Sequence, residues 1–117
     1  LRARRQYGNG LARGITQYEQ GGVQCVLTNP ATHLLALQLC QARGVMPTAR
    51  DVWRAVEFDD LLCFGLCRLT MWADPHPLPS IGDEDAGWDF YLRTQNPGFP
   101  RRSDWAESCA KASEAVP

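Results

Sequence analysis

The stretch WDFYLRTQNPGFP, residues 88–100, decides the fold of this chain together with Trp105. Trp88 and Tyr91 are spaced as neighbours on one face of a helix, so they predict an amphipathic helix. The Asn-Pro-Gly sequence at 96–98 is made of strong turn formers and ends that helix. Trp105 then belongs to a second helix. The stretch therefore predicts two helices joined by a rigid turn, which is information about architecture and not about chemistry.

Other segments also carry helix signals, so the sequence predicts an all-α fold. Apolar residues recur at helical spacing, and they follow capping residues such as Thr48 or paired acids such as Asp59-Asp60. The expected architecture is a small single-domain bundle of about five helices packed around the segments 30–43 and 60–72. The predicted helices cover residues 11–20, 30–43, 48–57, 60–72, 83–95 and 104–116.

Several glycines and leucines bear on how these helices end and pack. Leucines lie on most sides of the helix predicted at residues 30–43, a pattern typical of a buried central helix. Glycine is about 1 kcal/mol less favourable than alanine inside a helix, so Gly65 indicates a close approach of two helices. Gly21-Gly22 predicts the end of the first helix, and Gly44 predicts the end of the second.

The expected organisation is a basic N-terminal arm at residues 1–10, rich in glycine and arginine, and a single helical domain at 11–117. A length of 117 residues fits one domain, and 44% hydrophobic with 21% charged residues excludes a wholly disordered chain. A net charge of −1 gives no overall attraction to nucleic acid or to an anionic membrane. A proline-rich loop at 74–82 precedes the last two helices.

Three interpretations of the arginines in the arm stay open. They could bind an acidic protein surface, could contact nucleic acid, or could belong to a solvated tail. Nucleic-acid recognition rests on these arginines alone, because no helix of the sequence carries a basic stripe. Arginine and tryptophan dominate the energetics of protein interfaces. The residues predicted to make contacts are therefore Arg2, Arg4, Arg5, Trp88, Tyr91 and Trp105.

The five cysteines are odd in number, so they cannot all pair within the chain. Cys63 and Cys67 lie one helical turn apart, and His76 could join them in a metal site. Zinc sites usually have closer cysteine pairs and a fourth ligand, whereas buried cysteines behave as small apolar residues. The sequence thus predicts free buried thiols, no metal and no cofactor, with one disulfide as the alternative.

The segment from Trp88 to Trp105 resembles part of a family of small bacteriophage-encoded proteins. The shared pattern is W-x-x-Y-L-R-T-x-x-P-G-x-P at residues 88–100, followed by the tryptophan at 105. The family core is Trp-Arg-Pro-Gly-Lys-Pro-His, where this chain has Gln-Asn-Pro-Gly-Phe-Pro-Arg at 95–101, so the basic positions are partly lost. The resemblance implies a phage or prophage origin and a short helical protein of virion or lysis type. The alternative for the two tryptophans is that they only hold the Pro/Gly turn against the core.

A second, looser likeness is to the lytic transglycosylases, which cleave peptidoglycan. Ala55-Val56-Glu57 is similar to the end of their catalytic helix, and Phe64-Gly65-Leu66 to the turn that follows. This likeness implies that Glu57 is a general acid, whose pKa an apolar pocket would raise. The usual Ser-Gly after the glutamate is absent, and the interval to the following glycine is short for a sugar-binding loop. A helix-end acid beside an arginine is the competing interpretation.

We therefore predict a non-enzymatic structural or accessory protein of a phage virion, which acts through protein–protein contacts. Its expected partners are other virion proteins or further copies of this chain, with nucleic acid at the N-terminal arginines as a further option and no membrane. The expected location is the virion, and the host cytoplasm during assembly. The alternative is a lysozyme-like or lytic-transglycosylase-like domain with Glu57 as its acid.

Overall fold

Six α-helices form the regular structure of residues 4–8 and 10–117, the part of the chain that the computed structural model describes. The helices are α1 (Gln20–Thr28), α2 (His33–Arg43), α3 (Ala49–Ala55), α4 (Asp60–Trp72), α5 (Glu84–Gln95) and α6 (Trp105–Ala115). A 3-10 turn at Arg102–Asp104 leads into α6. Extended pairing among the described residues is limited to two isolated bridges, which join Arg13 to Arg5 and to Tyr18. The predicted all-α class is confirmed.

The chain folds as two compact units, Leu1–Ala73 and Asp74–Pro117. The first contains α1 to α4, and the second contains the proline-rich loop, α5 and α6. Two such units can belong to one domain, so the single domain predicted for residues 11–117 stays a prediction.

The core of the first unit is built from the inward faces of its four helices. Leu62, Cys63 and Leu66 of α4 have no exposed surface and lie at its centre. The other buried residues of this core are Tyr18, Val23, Val26, Leu27, Ala36, Cys40, Val52 and Val56. Burying one valine or leucine side chain stabilises a fold by about 1.5–3 kcal/mol, so this cluster holds the helices together.

The segment 30–43 begins its helix later than predicted. α2 begins at His33, because Asn29 starts a turn in which its side chain accepts a hydrogen bond from the Ala31 N–H at 2.8 Å. The predicted end is confirmed, since Gly44 closes the helix in the left-handed region with φ +66°.

The prediction that this helix is buried is wrong. Ala36 and Cys40 are the buried residues of α2, whereas Leu34 is 70% exposed and Leu35 is also exposed. Leucines on all sides of a helix do not bury it when its neighbours cover only one side. The largest fully buried side chains are instead those of Leu62 and Leu66, on the inner face of α4.

The close approach predicted at Gly65 is confirmed. A Cβ atom added there would lie 2.6 Å from Cδ2 of Leu39, closer than packed atoms come. The missing side chain therefore gives Leu39 of α2 the space in which it packs on α4.

The helix predicted at residues 11–20 is wrong. Arg13 and Tyr18 exchange two backbone hydrogen bonds of 2.8 Å, and they enclose a turn in which Gly14 and Gln17 have positive φ. The helix forms afterwards, as α1, and it includes Gly21-Gly22 in its first turn. Two glycines cost about 2 kcal/mol of helix propensity, which the burial of the apolar side chains of α1 outweighs.

The caps predicted at Thr48 and at Asp59 are confirmed, whereas Asp104 before α6 makes no side-chain capping bond. Thr48, Asp59 and Asp83 each accept a hydrogen bond from the backbone N–H three residues later, at 3.0–3.1 Å. These bonds satisfy N–H groups that have no partner inside the helix, so they fix where α3, α4 and α5 begin.

The second unit contains the helix, turn and helix predicted from residues 88–100. Asn96 ends α5 in the left-handed region, with φ +43°. At the start of the unit, Arg93 of α5 donates to Asp74 Oδ2 at 2.7 Å and so anchors the proline-rich loop. This hydrogen bond, with a further one from His76, holds the pKa of the Asp74 carboxyl well below its usual range. The Asp74 carboxylate of the folded unit is therefore charged near neutral pH.

Candidate functional site

Three arginines of the N-terminal region converge on Glu57, which follows α3, and on Asp60, the first residue of α4. Arg5 Nε lies 2.5 Å from Glu57 Oε1, and Arg13 Nη1 lies 3.3 Å from Glu57 Oε2. Arg4 donates to the Glu57 carbonyl oxygen at 2.8 Å and to Asp60 Oδ1 at 2.9 Å. We call these five residues the Glu57 cluster. It ties the described part of the predicted arm to the end of α3 and the start of α4.

Trp53 of α3 extends this attachment. Its Nε1 donates to the Leu11 carbonyl oxygen at 2.7 Å, and the Arg13 guanidinium lies 3.7 Å from the centre of its ring. Cation–π contacts of this kind contribute about 0.5–2 kcal/mol. Arg13 is therefore held by a ring on one side and by the Glu57 carboxylate on another.

Glu57 has the opposite electrostatics from those that a general acid requires. Its side chain is only 7% exposed. The hydrogen bond from Arg5 lowers the pKa of the Glu57 carboxyl, burial opposes this effect, and the positive charges of Arg5, Arg13 and Arg4 lower it further. A general acid of a glycosidase needs a raised pKa, so that it holds a proton near neutral pH. Glu57 is instead an ionised anchor for the arginines.

We expect Glu57 to contribute to stability in a pH-dependent way. Its pKa is lower in the folded chain than the value of about 4.3 for an unfolded glutamate. Its contribution is therefore complete above about pH 4.3 and is lost as the pH falls through the folded pKa. The measurement is the free energy of unfolding in urea from pH 7 to pH 3, where Glu57→Gln should be less stable at pH 7 and should show a flatter acid dependence.

The control for this measurement is Glu19→Gln, which changes an exposed glutamate of the same unit. It should keep the wild-type dependence on pH. Parallel curves for the wild type and Glu57→Gln would contradict the role of Glu57 as an ionised anchor.

The predicted contact residues fall into two groups. Arg4 and Arg5 belong to the first unit, where both are bonded to acids. Arg2 lies outside the described residues. The three aromatic residues belong to the second unit, and contact at each of these positions stays a prediction.

The aromatic residues pack on one another. The ring centres of Trp88, Tyr91 and Trp105 are 5.2–5.6 Å apart, and Trp105 Nε1 donates to the Glu84 carbonyl oxygen at 2.8 Å. Ring pairs at this distance add about 0.5–1.5 kcal/mol beyond the area they bury. These contacts join α5 to α6.

A surface that the sequence analysis did not single out lies along α4. Leu61, Phe64, Arg68 and Trp72 follow one another at i, i+3, i+7 and i+11, which is one face of a helix. All four are exposed, and the apolar three are 53–66% exposed. We call them the α4 stripe. The spacing of these four residues could have predicted a shared helix face. Because α4 has apolar residues on every side, its sequence does not indicate which face is buried.

An open cleft of about 520 Å³ lies between the end of α3 and the start of α4. Phe58 and Leu61 line its apolar part. Its acids are paired, since Arg43 Nε donates to Asp59 Oδ2 at 2.9 Å and Asp60 bonds to Arg4. The cleft thus presents rings and ion pairs, an arrangement more suited to contact with a protein than to proton transfer.

The five cysteines, all of which lie in the described residues, are thiols and not disulfides, but not all of them are buried as predicted. Cys40 and Cys63 are buried, and burial raises the pKa of the Cys40 thiol. Cys25 is exposed, because it lies on the outer face of α1. Within the described ranges, no three His, Cys, Asp or Glu side chains come together in a way that could hold a metal ion. In the same ranges, no helix has both the length and the apolarity that crossing a bilayer requires.

Known proteins give no information about the function of this chain. No protein-family model, no curated protein and no solved structure matches it. The resemblance of residues 88–105 to phage-encoded proteins therefore stays a prediction.

Proposed function

We propose that this chain is a non-enzymatic structural or accessory protein of a bacteriophage virion, which acts through protein–protein contacts. The observation that carries this proposal is the exposure of large apolar side chains in both units. In the first unit they include the three apolar residues of the α4 stripe. In the second they include Leu78, Ile81 and Phe99, of which Ile81 and Phe99 are almost fully exposed.

Such exposure favours binding to other proteins. Single exposed apolar residues are common on protein surfaces, whereas contiguous apolar patches mark interaction sites. The proline-rich loop adds a rigid element, because Pro75, Pro77 and Pro79 restrict the backbone to extended conformations. A segment that is already ordered loses little entropy on binding, so Leu78 and Ile81 are well placed to contact a partner.

The phage part of the proposal comes from the resemblance of residues 88–105. A virion protein that acts through contacts does not need an active site. The acids of the Glu57 cluster are paired with arginines, which agrees with such a role. The lytic alternative is not carried further, because the pKa of Glu57 is lowered and not raised.

Co-sedimentation with particles tests the proposal. We expect the chain to be found in purified particles of the phage or prophage that encodes it, and Ile81→Asp to reduce the bound fraction about tenfold, because a charge replaces an apolar contact at an interface. Ser80→Asp adds the same charge to the same loop at a polar residue and should bind as the wild type does. Absence from the particles, or clearing of peptidoglycan by the purified chain, would overturn the proposal.

A further inference from the structure

The α4 stripe is separate from the core face of its own helix. Leu62, Cys63 and Leu66 point into the first unit with no exposed surface. The stripe occupies the other side of the helix, and its apolar residues, Leu61, Phe64 and Trp72, leave more than half of each side chain in water. α4 therefore has two apolar faces, of which the fold uses one.

We propose that the α4 stripe is the interface of a homodimer, in which α4 packs antiparallel on α4 of a second copy. This inference deepens the proposed function, since it names one partner of a protein that acts through contacts. The occupant of the stripe is a second copy of this chain because the stripe is complementary to itself.

The complementarity follows from the order of residues along the helix. A two-fold axis at the middle of the stripe places Leu61 over Trp72 of the partner subunit, so that the aliphatic end of one stripe meets the indole of the other. The same axis places Phe64 beside Arg68 of the partner subunit. A guanidinium near an aromatic ring is attracted to its face, so the charge in the stripe has a place in the dimer.

The geometry of Arg68 agrees with this arrangement. Its guanidinium already lies 5.8 Å from the centre of the Trp72 ring on its own helix. The aliphatic part of the side chain therefore follows the stripe, where it adds apolar contact area. The interface is of the closed, isologous type, in which the same patch is used on both subunits.

The exposed area sets the expected strength of the dimer. An aromatic side chain buries about 150–250 Å² when it is fully covered, so Phe64 and Trp72, with Leu61 and the nearby Phe58, offer roughly 400 Å² of apolar surface per copy. Two such patches with a polar rim reach about 1,000 Å², the lower limit for a specific interface. We expect a dissociation constant in the micromolar range, as is typical of weak and transient dimers.

Sedimentation equilibrium of the purified full chain tests the dimer. The wild type should change from monomer to dimer over about 1–100 µM, a range centred on the expected dissociation constant. Leu61→Glu and Trp72→Lys should each weaken association at least tenfold, because each places an unpaired charge against an apolar residue of the partner. Met46→Glu is the control, since Met46 is as exposed as Leu61 but lies outside the stripe. All variants should keep the wild-type circular dichroism.

Mixing the two stripe variants tests the direction of pairing. In a mixed dimer, Glu at position 61 faces Lys at position 72 of the partner subunit, while the other end keeps its native Leu–Trp contact. We expect an equimolar mixture to associate at least fivefold more tightly than either variant alone, since opposite charges replace unpaired ones.

The outcomes separate this inference from the proposed function. A chain that stays monomeric at 1 mM, far above the expected dissociation constant, would overturn the dimer, and so would association that the stripe variants leave unchanged. A mixture that associates no better than its components would overturn the antiparallel arrangement. None of these measurements involves phage particles, so the dimer can fail while co-sedimentation succeeds, and the reverse also holds.

Discussion

Replacing Leu66 with alanine is expected to lower the free energy of unfolding of the first unit by about 2–5 kcal/mol. Leu66 lies on the core face of α4 and has no exposed surface. Truncation removes apolar contacts and leaves a cavity, because α1 and α2 pack against α4 and cannot both move inward to fill it. The measurement is urea unfolding followed by the NMR signals of residues in the first unit, so that the second unit does not mask the transition.

Leu34→Ala is the matched control, since it makes the same change on α2 where the side chain is 70% exposed. We expect a change within about 0.5 kcal/mol, as for most surface substitutions. Equal losses for the two variants would show that the inner face of α4 is not the core. The comparison of Leu66→Ala with Leu34→Ala also matters for the dimer. Substitutions in the α4 stripe measure association only if changes at exposed residues leave the stability of the unit unaltered.

The sequence was sufficient where the physical cause of a feature is local. A side chain such as Thr48 or Asp59 caps a helix through a backbone N–H three residues away, so a short window contains both partners. The same holds for Gly44, whose left-handed conformation depends on the residue itself. The turn at 96–98 belongs to this class as well, and all of these predictions are confirmed.

The sequence was insufficient where the cause is tertiary. Leu34 and Leu66 are both leucines in apolar helices, and only the positions of neighbouring helices decide that one is exposed and the other buried. Gly21-Gly22 are poor helix formers on their own, yet they lie inside α1, because the helix buries Val23 and the residues that follow. Burial energy exceeds propensity in such cases.

The Glu57 cluster shows the same limit for a candidate site. Arg5 and Glu57 are separated by 52 positions, and no local pattern indicates that they pair. Val56 and Phe58, the sequence neighbours of Glu57, are apolar, which is the setting that the general-acid alternative requires. In the folded chain the arginines reach it from the N-terminal region, so its pKa is lowered instead.

Replacing Gly14 with alanine is expected to destabilise the first unit by more than about 2 kcal/mol. Gly14 has φ +77°, a region that costs an alanine about 1–2 kcal/mol. An added Cβ would also lie 2.5 Å from the Val56 carbonyl oxygen and 2.8 Å from Cys63 Sγ. The carbonyl belongs to the backbone between α3 and α4 and cannot rotate away, so the clash displaces the turn itself.

Gly44→Ala isolates the conformational part of this effect. Gly44 has a similar φ of +66°, but an added Cβ would meet no atom within 4 Å. The control should therefore lose only about 1–2 kcal/mol. The Gly14 N–H also donates to the Arg4 carbonyl oxygen at 2.8 Å, and the Arg13 N–H donates to the Tyr18 carbonyl oxygen. Gly14→Ala should therefore speed amide hydrogen exchange at positions 13 and 14. Equal losses at the two glycines, with exchange unchanged, would mean that the turn yields to the added methyl group and does not fix Arg13 against Trp53 and Glu57.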